Sequence, residues 1–153
     1  MTVVVGVDGI PGSGPTIQLA LQEARYRGTR LLAVMAYGSE TVLGAPAARP
    51  VSTGPTPAEQ RALTEVTVRQ AVEAALGDLP TDVELRAVQG NPGHALVETA
   101  RETDAQLLVL SARGERAVSR LLGTVSQHVL RQSPCPVLVV PAGIQGTPGQ
   151  PVG

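Results

Sequence analysis

The stretch that decides the fold runs from Leu107 to Pro141 and reads LLVLSARGERAVSRLLGTVSQHVLRQSPCPVLVVP. It begins with an apolar run that has the length and bulk of a buried parallel strand. A polar segment with Gly114 follows, and after Gly123 the residues TVSQ predict a helix that Thr124 caps. A second apolar strand, Val137 to Val140, closes the stretch. A strand, a glycine loop and a helix N-terminus together present free backbone N–H groups, so the stretch predicts an anion site.

The rest of the chain alternates strands with helices in the same way. Strands are predicted at residues 2–8, 31–37, 83–88, 107–110 and 137–140, with helices beginning near residues 13–16, 56, 91 and 124. Gly28 and Gly77 stand where left-handed helix caps belong. The pattern predicts an α/β fold with a doubly wound parallel sheet, whose ligands bind beyond the carboxyl ends of the strands. Asp8 and Ser111 follow two of those strands, so we expect both at that rim.

Length and charge narrow the class of protein. The 153 residues are enough for one domain with a buried core. The net charge of -1 shows no excess of positive charge that would bind nucleic acid or an anionic membrane. No apolar run approaches the roughly 20 residues of a membrane span. The N-terminus reads directly as a strand, and the single cysteine, Cys135, fits a reducing compartment. We therefore expect a cytoplasmic protein.

Residue types exclude several kinds of chemistry. All 12 residues counted as Lys or Arg are Arg, which excludes a lysine-containing P-loop and Schiff-base catalysis. With Tyr26 and Tyr37 as the only aromatic residues, the chain cannot build a stacking platform for single-stranded nucleic acid. His94 and His128 lack Cys or Glu at metal-ligand spacing, and we interpret both as structural. Ser111 has no nearby His and no G-x-S-x-G turn, which argues against a nucleophile.

Two segments show no apolar periodicity. Residues 38–55 are rich in Gly, Pro and small side chains and predict a flexible loop, either a lid over a site or an insertion. Residues 142–153 predict a disordered tail. The folded domain is therefore expected to span residues 1–141.

Three stretches resemble the universal stress protein domain. They are VVVGVDG at residues 3–9, VQGNPGHALVETARETDAQLLVLSARG at 88–114 and LLGTVSQHVLRQSPCPVLVVP at 121–141. The resemblance covers residues 2–141 and implies a Rossmann-like fold of the adenine nucleotide alpha hydrolase type, with five parallel strands in the order 3-2-1-4-5. The resemblance also implies a homodimer through the last strand, Val137 to Val140. An apolar edge strand that stays unpaired would otherwise be prone to aggregation.

The nucleotide-binding branch of that family carries the motif Gly-x-x-Gly, a spacer, then Gly followed by Ser or Thr. Laid on this chain, the second and third glycines are Gly114 and Gly123, followed by Thr124 and Val125, and the first falls on Ser111. Eight residues, one fewer than in the motif, separate Gly114 from Gly123. A serine has a Cβ where glycine allows close backbone approach, although its hydroxyl can donate to a phosphate.

The same resemblance implies an adenine-nucleotide site, with ATP the expected ligand and Mg²⁺ a candidate companion. Asp8 would contact the adenosine moiety, and Ala36, or Val34 in a shifted register, would line the adenine pocket. Leu110 would lie beside the base. The phosphates would meet Arg113 and the backbone of residues 123–125, Gly123, Thr124 and Val125. From the residues alone, Asp8 could instead cap the loop that follows it, and Arg113 could be simply solvated.

Two functions are therefore expected. The first is a dimeric cytoplasmic stress-response regulator that binds an adenine nucleotide. It would catalyse slow hydrolysis at most, because Arg113 alone compensates too little charge for phosphoryl transfer. The second is a dimeric protein-interaction module without a nucleotide, which the serine at 111 and the short spacer motivate. A hydrolase or transferase of related fold is a weaker alternative because no nucleophile–base pair is visible.

Overall fold

A computed structural model describes residues 1–9, 13–38, 54–112 and 124–141, in which strands and helices alternate. The strands are β1 (Thr2–Gly6), β2 (Arg30–Tyr37), β3 (Val83–Gln89), β4 (Ala105–Ala112) and β5 (Val137–Pro141). The helices are α1 (Gly14–Tyr26), α2 (Pro57–Leu76), α3 (Pro92–Glu102) and α4 (Thr124–Gln132). All strands pair in parallel in the order β3-β2-β1-β4-β5, which confirms the predicted sheet.

The sheet separates two apolar clusters, because successive side chains of a strand point to opposite faces. Val3 and Val5 of β1 pack under α1 and α2, whereas Val4 packs under α3 and α4. All three valines are 0% exposed. This burial on both faces explains why the strand reads as an unbroken apolar run. Among the described residues, no helix is long and apolar enough to cross a membrane.

The helix termini follow the local signals of the sequence. The Thr56 side chain accepts a hydrogen bond from the backbone N–H of Glu59 at 3.2 Å, as the predicted cap of α2 requires. Gly77 ends the same helix with φ +84°, the left-handed conformation that favours glycine. Asn91 caps α3 by accepting from the next backbone N–H groups. Thr124, predicted as the cap of α4, is the first residue of that helix in the part of the chain that the structure describes.

Two strands differ from their predicted bounds by more than one residue. β1 ends at Gly6 rather than at residue 8, and Gly9 then takes φ +75°, which turns the chain away from the strand direction. β4 is longer than residues 107–110, because Ser111 and Ala112 still pair with β5. The predicted loop 38–55 lies largely outside the described residues, as does the predicted tail 142–153. Both remain predictions.

Candidate functional site

A notch opens where β1 ends, because both of its neighbours continue further. The last β1–β2 pair is Gly6 with Val34, and β2 runs on to Tyr37. The last β1–β4 pair is Val5 with Val109, and β4 runs on to Ala112. The notch lies at the carboxyl end of the sheet, between strands whose helices cover opposite faces. It is therefore at the place where doubly wound sheets bind their ligands.

One wall of the notch carries backbone groups that the sheet does not use. The carbonyl of Val34 accepts a hydrogen bond from the N–H of Val7 at 2.8 Å, so Val34 faces β1, whereas the Tyr37 carbonyl accepts from Gly90 beside β3. Alternate residues of a parallel strand direct both backbone groups to the same neighbour. Ala36 therefore directs its N–H and C=O to the β1 side. In the described part of the chain, Val7 to Val34 is the last backbone bond there, so Ala36 faces the notch.

Leu110 forms part of the floor rather than an open wall. It is only 4% exposed and belongs to the cluster under α3 and α4. A Cβ at Gly6 would lie 2.9 Å from Leu96 Cδ1 and 3.1 Å from Leu110 Cδ2. Glycine at position 6 therefore lets the two leucine side chains close directly beneath the end of β1.

Ser111 is tied to the beginning of α1. Its Oγ lies 2.7 Å from Oγ1 of Thr16, in the first turn of α1, and either hydroxyl can be the donor. Ser111 is half-buried, and Thr16 is 3% exposed. Among the described residues other than glycine, only Asp104 has a positive φ, so the backbone at Ser111 is one that any residue adopts. The serine causes no strain at the position where the motif has glycine.

Asp8 and Gly9 form the described beginning of the loop that leaves β1. Asp8 is exposed, as expected for a rim residue. A Cβ at Gly9 would meet Thr67 Cγ2 at 3.3 Å and Met35 Cε at 3.4 Å, so the loop packs closely on α2 and β2. Of the residues predicted for the site, Asp8, Ala36, Leu110 and Ser111 thus lie together at one rim of the sheet.

The predicted phosphate contacts are described only at the start of α4. Thr124 is exposed, and Val125 is half-buried against the cluster under α3 and α4. Within the described residues, both lie in the first turn of α4, where backbone N–H groups have no partner inside the helix. Arg113, Gly114 and Gly123 lie outside the described residues, so their predicted roles stay predictions.

The structure brings together two histidines that look unrelated in the sequence. The rings of His94 and His128 lie 6.5 Å apart in an edge-to-face arrangement at the contact between α3 and α4. A Cβ at Gly93 would approach His128 Cδ2 to 3.0 Å, so the glycine admits the His128 ring. Within the described ranges, no group of three or more His, Cys, Asp or Glu side chains could hold a metal ion.

Sequence reasoning missed three residues around the notch. Thr16 bonds Ser111, while Met35 and Thr67 pack against the loop at Gly9. Thr16 had the clearest signal in the sequence, because it is a polar residue that lies beside Ile17 on the apolar face of α1. Its partner, however, lies 95 residues away in the sequence.

A cation also lies near the end of β2. Arg61 of α2 is paired with Glu65 at 3.1 Å. The hydrogen bond to Glu65 and then the interaction with Tyr37 raise the pKa of Arg61 above its ordinary value. The Arg61 side chain is 61% exposed, so this ion pair lies in solvent at the outer edge of the rim.

Comparison with known proteins gives a consistent result. The model of the Universal stress protein family matches residues 1–141. A universal stress protein of Thermus aquaticus is 34% identical over 141 residues, which are 91% of this chain and 97% of that protein. One from Mycobacterium tuberculosis is 31% identical over 140 residues, or 90% of this chain, and the chain spans 47% of its length.

The solved structures extend this likeness to three dimensions. A crystal structure of a universal stress protein in complex with cAMP matches with a TM-score of 0.64 and 34% sequence identity. The match covers 92% of this chain and 95% of that one.

Proposed function

Because the chain belongs to the universal stress protein family, we infer that it binds an adenine nucleotide in the notch at the end of β1. The observation that carries this proposal is the orientation of Ala36, whose backbone N–H and C=O face the notch beyond the last β1–β2 hydrogen bond. Backbone polar groups that the sheet leaves unpaired need a partner. A ligand with a donor beside an acceptor meets both groups at once.

Adenine has that pattern. Its N1 accepts a hydrogen bond and its N6 amino group donates one, so N1 pairs with the Ala36 N–H and N6 with the Ala36 C=O. Guanine presents a donor at N1 and an acceptor at O6, which is the reverse pattern. The alternative register, in which Val34 would face the base, has less support. The Val34 carbonyl already bonds Val7, and the residue is only 1% exposed.

The rest of the nucleotide extends toward β4 and α4. Asp8, at the rim beside Ala36, accepts from the ribose hydroxyls. The first backbone N–H groups of α4, at Thr124 and Val125, donate to phosphate, which a helix N-terminus favours. Arg113, Gly114 and Gly123 complete the phosphate contacts. The relative solved with cAMP, 34% identical to this chain, supports an adenine nucleotide with at least one phosphate. ATP, with Mg²⁺ on its phosphates, is the ligand we expect from the motif.

The proposed molecule is a homodimer. β5 is an edge of the sheet, and in the described residues it pairs only with β4. Its side chains at Val137, Leu138 and Val139 are half-buried in the single chain, although all three are apolar. Pairing of this strand with a second copy would satisfy the free backbone groups of the edge. We place this dimer in the cytoplasm, where nucleotide binding would regulate a stress response.

Titration calorimetry with AMP, cAMP, ADP and ATP, each with and without Mg²⁺, tests the proposal, and GMP is the control ligand. We expect heat with at least one adenine nucleotide and none with GMP. Ala36→Leu should weaken binding at least tenfold, because the larger side chain, which points to the same face as Leu32 and Val34, would crowd a base bonded to the Ala36 backbone. The matched control Ala74→Leu lies on the exposed face of α2 and should bind like wild type.

The absence of heat with every adenine nucleotide would refute the proposed function. The chain would then be better explained as a dimeric interaction module without a nucleotide. Equal affinity for AMP and GMP would contradict the assignment of Ala36 to the base and leave only a phosphate site.

A further inference from the structure

The hydroxyl pair of Thr16 and Ser111 connects the first turn of α1 with the end of β4, one wall of the notch. Thr16 belongs to the first turn of α1, which follows the loop that carries Asp8. Ser111 belongs to the end of β4, from which the predicted phosphate-binding residues continue. The distance of 2.7 Å between the two oxygens is the usual one for a hydroxyl–hydroxyl hydrogen bond. The bond therefore ties the helix that follows Asp8 to the strand that precedes the predicted phosphate-binding residues.

The burial of Thr16 makes this bond necessary. Thr16 is 3% exposed, and Ser111 is its hydrogen-bond partner in the described part of the chain. No buried side-chain nitrogen or oxygen among the described residues is left without a partner. A buried hydroxyl that loses its partner pays the full cost of desolvation. Without the Ser111 side chain, the Thr16 hydroxyl would need water or a new hydrogen-bond partner. The first turn of α1 would then have to shift.

The side chain of Ser111 also points in a direction that suits this role. Leu107 and Val109 of the same strand pack into the cluster under α1 and α2. Because side chains alternate along a strand, Ser111 points to that face as well. The start of α4, whose backbone would contact phosphate, covers the other face through Val125. The serine Cβ thus stays clear of the side from which α4 would contact the phosphates.

We propose that Ser111 is a positioning residue of the nucleotide site, which acts by holding α1 through Thr16. The inference rests on the proposed function and gives a role to the residue that departs from the family motif. It has a consequence opposite to that expected from the motif. Ser111→Gly would recreate the first motif glycine, yet it should weaken nucleotide binding because it leaves the Thr16 hydroxyl buried without a partner.

Calorimetry on the full chain with AMP, and with adenosine as the ligand without phosphate, tests this role. Ser111→Gly and Thr16→Val should each weaken AMP binding by roughly fivefold or more, the factor that corresponds to one net hydrogen bond. Adenosine affinity should change less than about twofold, because the pair acts on the strand that precedes the predicted phosphate-binding residues. Thr16→Ser and Ser111→Thr keep both hydroxyls and should bind AMP within about twofold of wild type.

Thermal unfolding without ligand separates positioning from simple stability. A purely structural pair would lower Tm in Ser111→Gly and Thr16→Val while the folded variants kept wild-type affinity for AMP, and that result would overturn the inference. So would an affinity of Ser111→Gly equal to or above that of wild type. If Ser111→Gly does not fold, Thr16→Val decides by the same criteria. Wild type that binds no adenine nucleotide at all would instead refute the proposed function.

Discussion

Gly6→Ala tests the packing beneath the notch. The new Cβ would lie 2.9 Å from Leu96 Cδ1 and 3.1 Å from Leu110 Cδ2, closer than carbon atoms pack without a shift. Leu96 is 5% and Leu110 4% exposed, so neither leucine can swing into solvent. Overpacking of a core costs about 1–3 kcal/mol. Loss of a glycine inside a strand returns about 0.5–1 kcal/mol. The net effect should be a decrease of about 1–2 kcal/mol in the free energy of unfolding.

Urea denaturation at 25 °C measures this value, and a double-mutant cycle locates its cause. Leu96→Val alone should cost about 1 kcal/mol, because it removes a buried methylene. Combined with Gly6→Ala it should cost at least about 1 kcal/mol less than the sum, since the shorter side chain makes room for the new methyl group. Gly14→Ala is the matched control: its Cβ would meet Ala75 at an ordinary 3.9 Å, so stability should be unchanged or slightly higher.

Two results would refute this reasoning. A Gly6→Ala protein within about 0.5 kcal/mol of wild type would show that the leucines relax at no cost. Strict additivity in the cycle would show that the loss arises somewhere other than the contact with Leu96.

Three other changes have expected outcomes. Thr56→Ala should lower the free energy of unfolding by about 1 kcal/mol in urea, because the N–H of Glu59 loses its cap; an unchanged midpoint would contradict this role. Arg25 lowers the pKa of Asp82 below 3.8, so the pair stabilises the folded state at neutral pH, and its contribution is lost as the pH falls through that lowered pKa. Asp82→Asn should therefore lower Tm slightly at pH 7 and by progressively less as the pH falls through the lowered pKa, whereas a loss that does not change with pH would exclude the ion pair. Val139→Arg should turn the proposed dimer into a monomer in sedimentation velocity, and a dimer that persists would place the interface elsewhere.

Local features of the fold were predictable from the sequence because their causes lie within a few residues. Thr56 and Glu59 stand three positions apart, and Gly77 directly follows the last turn of α2. The order of the strands came from the family resemblance, which the pairing confirms. The early end of β1 was not predictable, since Val7 is as apolar as the valines before it and is 5% exposed.

The candidate site was predictable as a set of residues and not as a geometry. Asp8 and Ser111 could be assigned to the rim because strand ends of a parallel sheet converge there, whereas Ala36 was assigned from the family resemblance. The role of Ser111 depends on Thr16, 95 residues away, and no local pattern links the two. The register at Ala36 was equally hidden, because it depends on which residue of β2 receives the last bond from β1.

The early end of β1 also divides the backbone amides of β2 into two kinetic classes. Val34 lies where the ladder is complete, so its amide should exchange with deuterium only when the protein unfolds as a whole. The amide of Ala36 points into the notch and should exchange orders of magnitude faster in the free protein. A bound adenine would slow that single amide while its neighbours stayed the same. The exchange rate of the Ala36 amide would thus report whether the site is occupied, without any change in the fold.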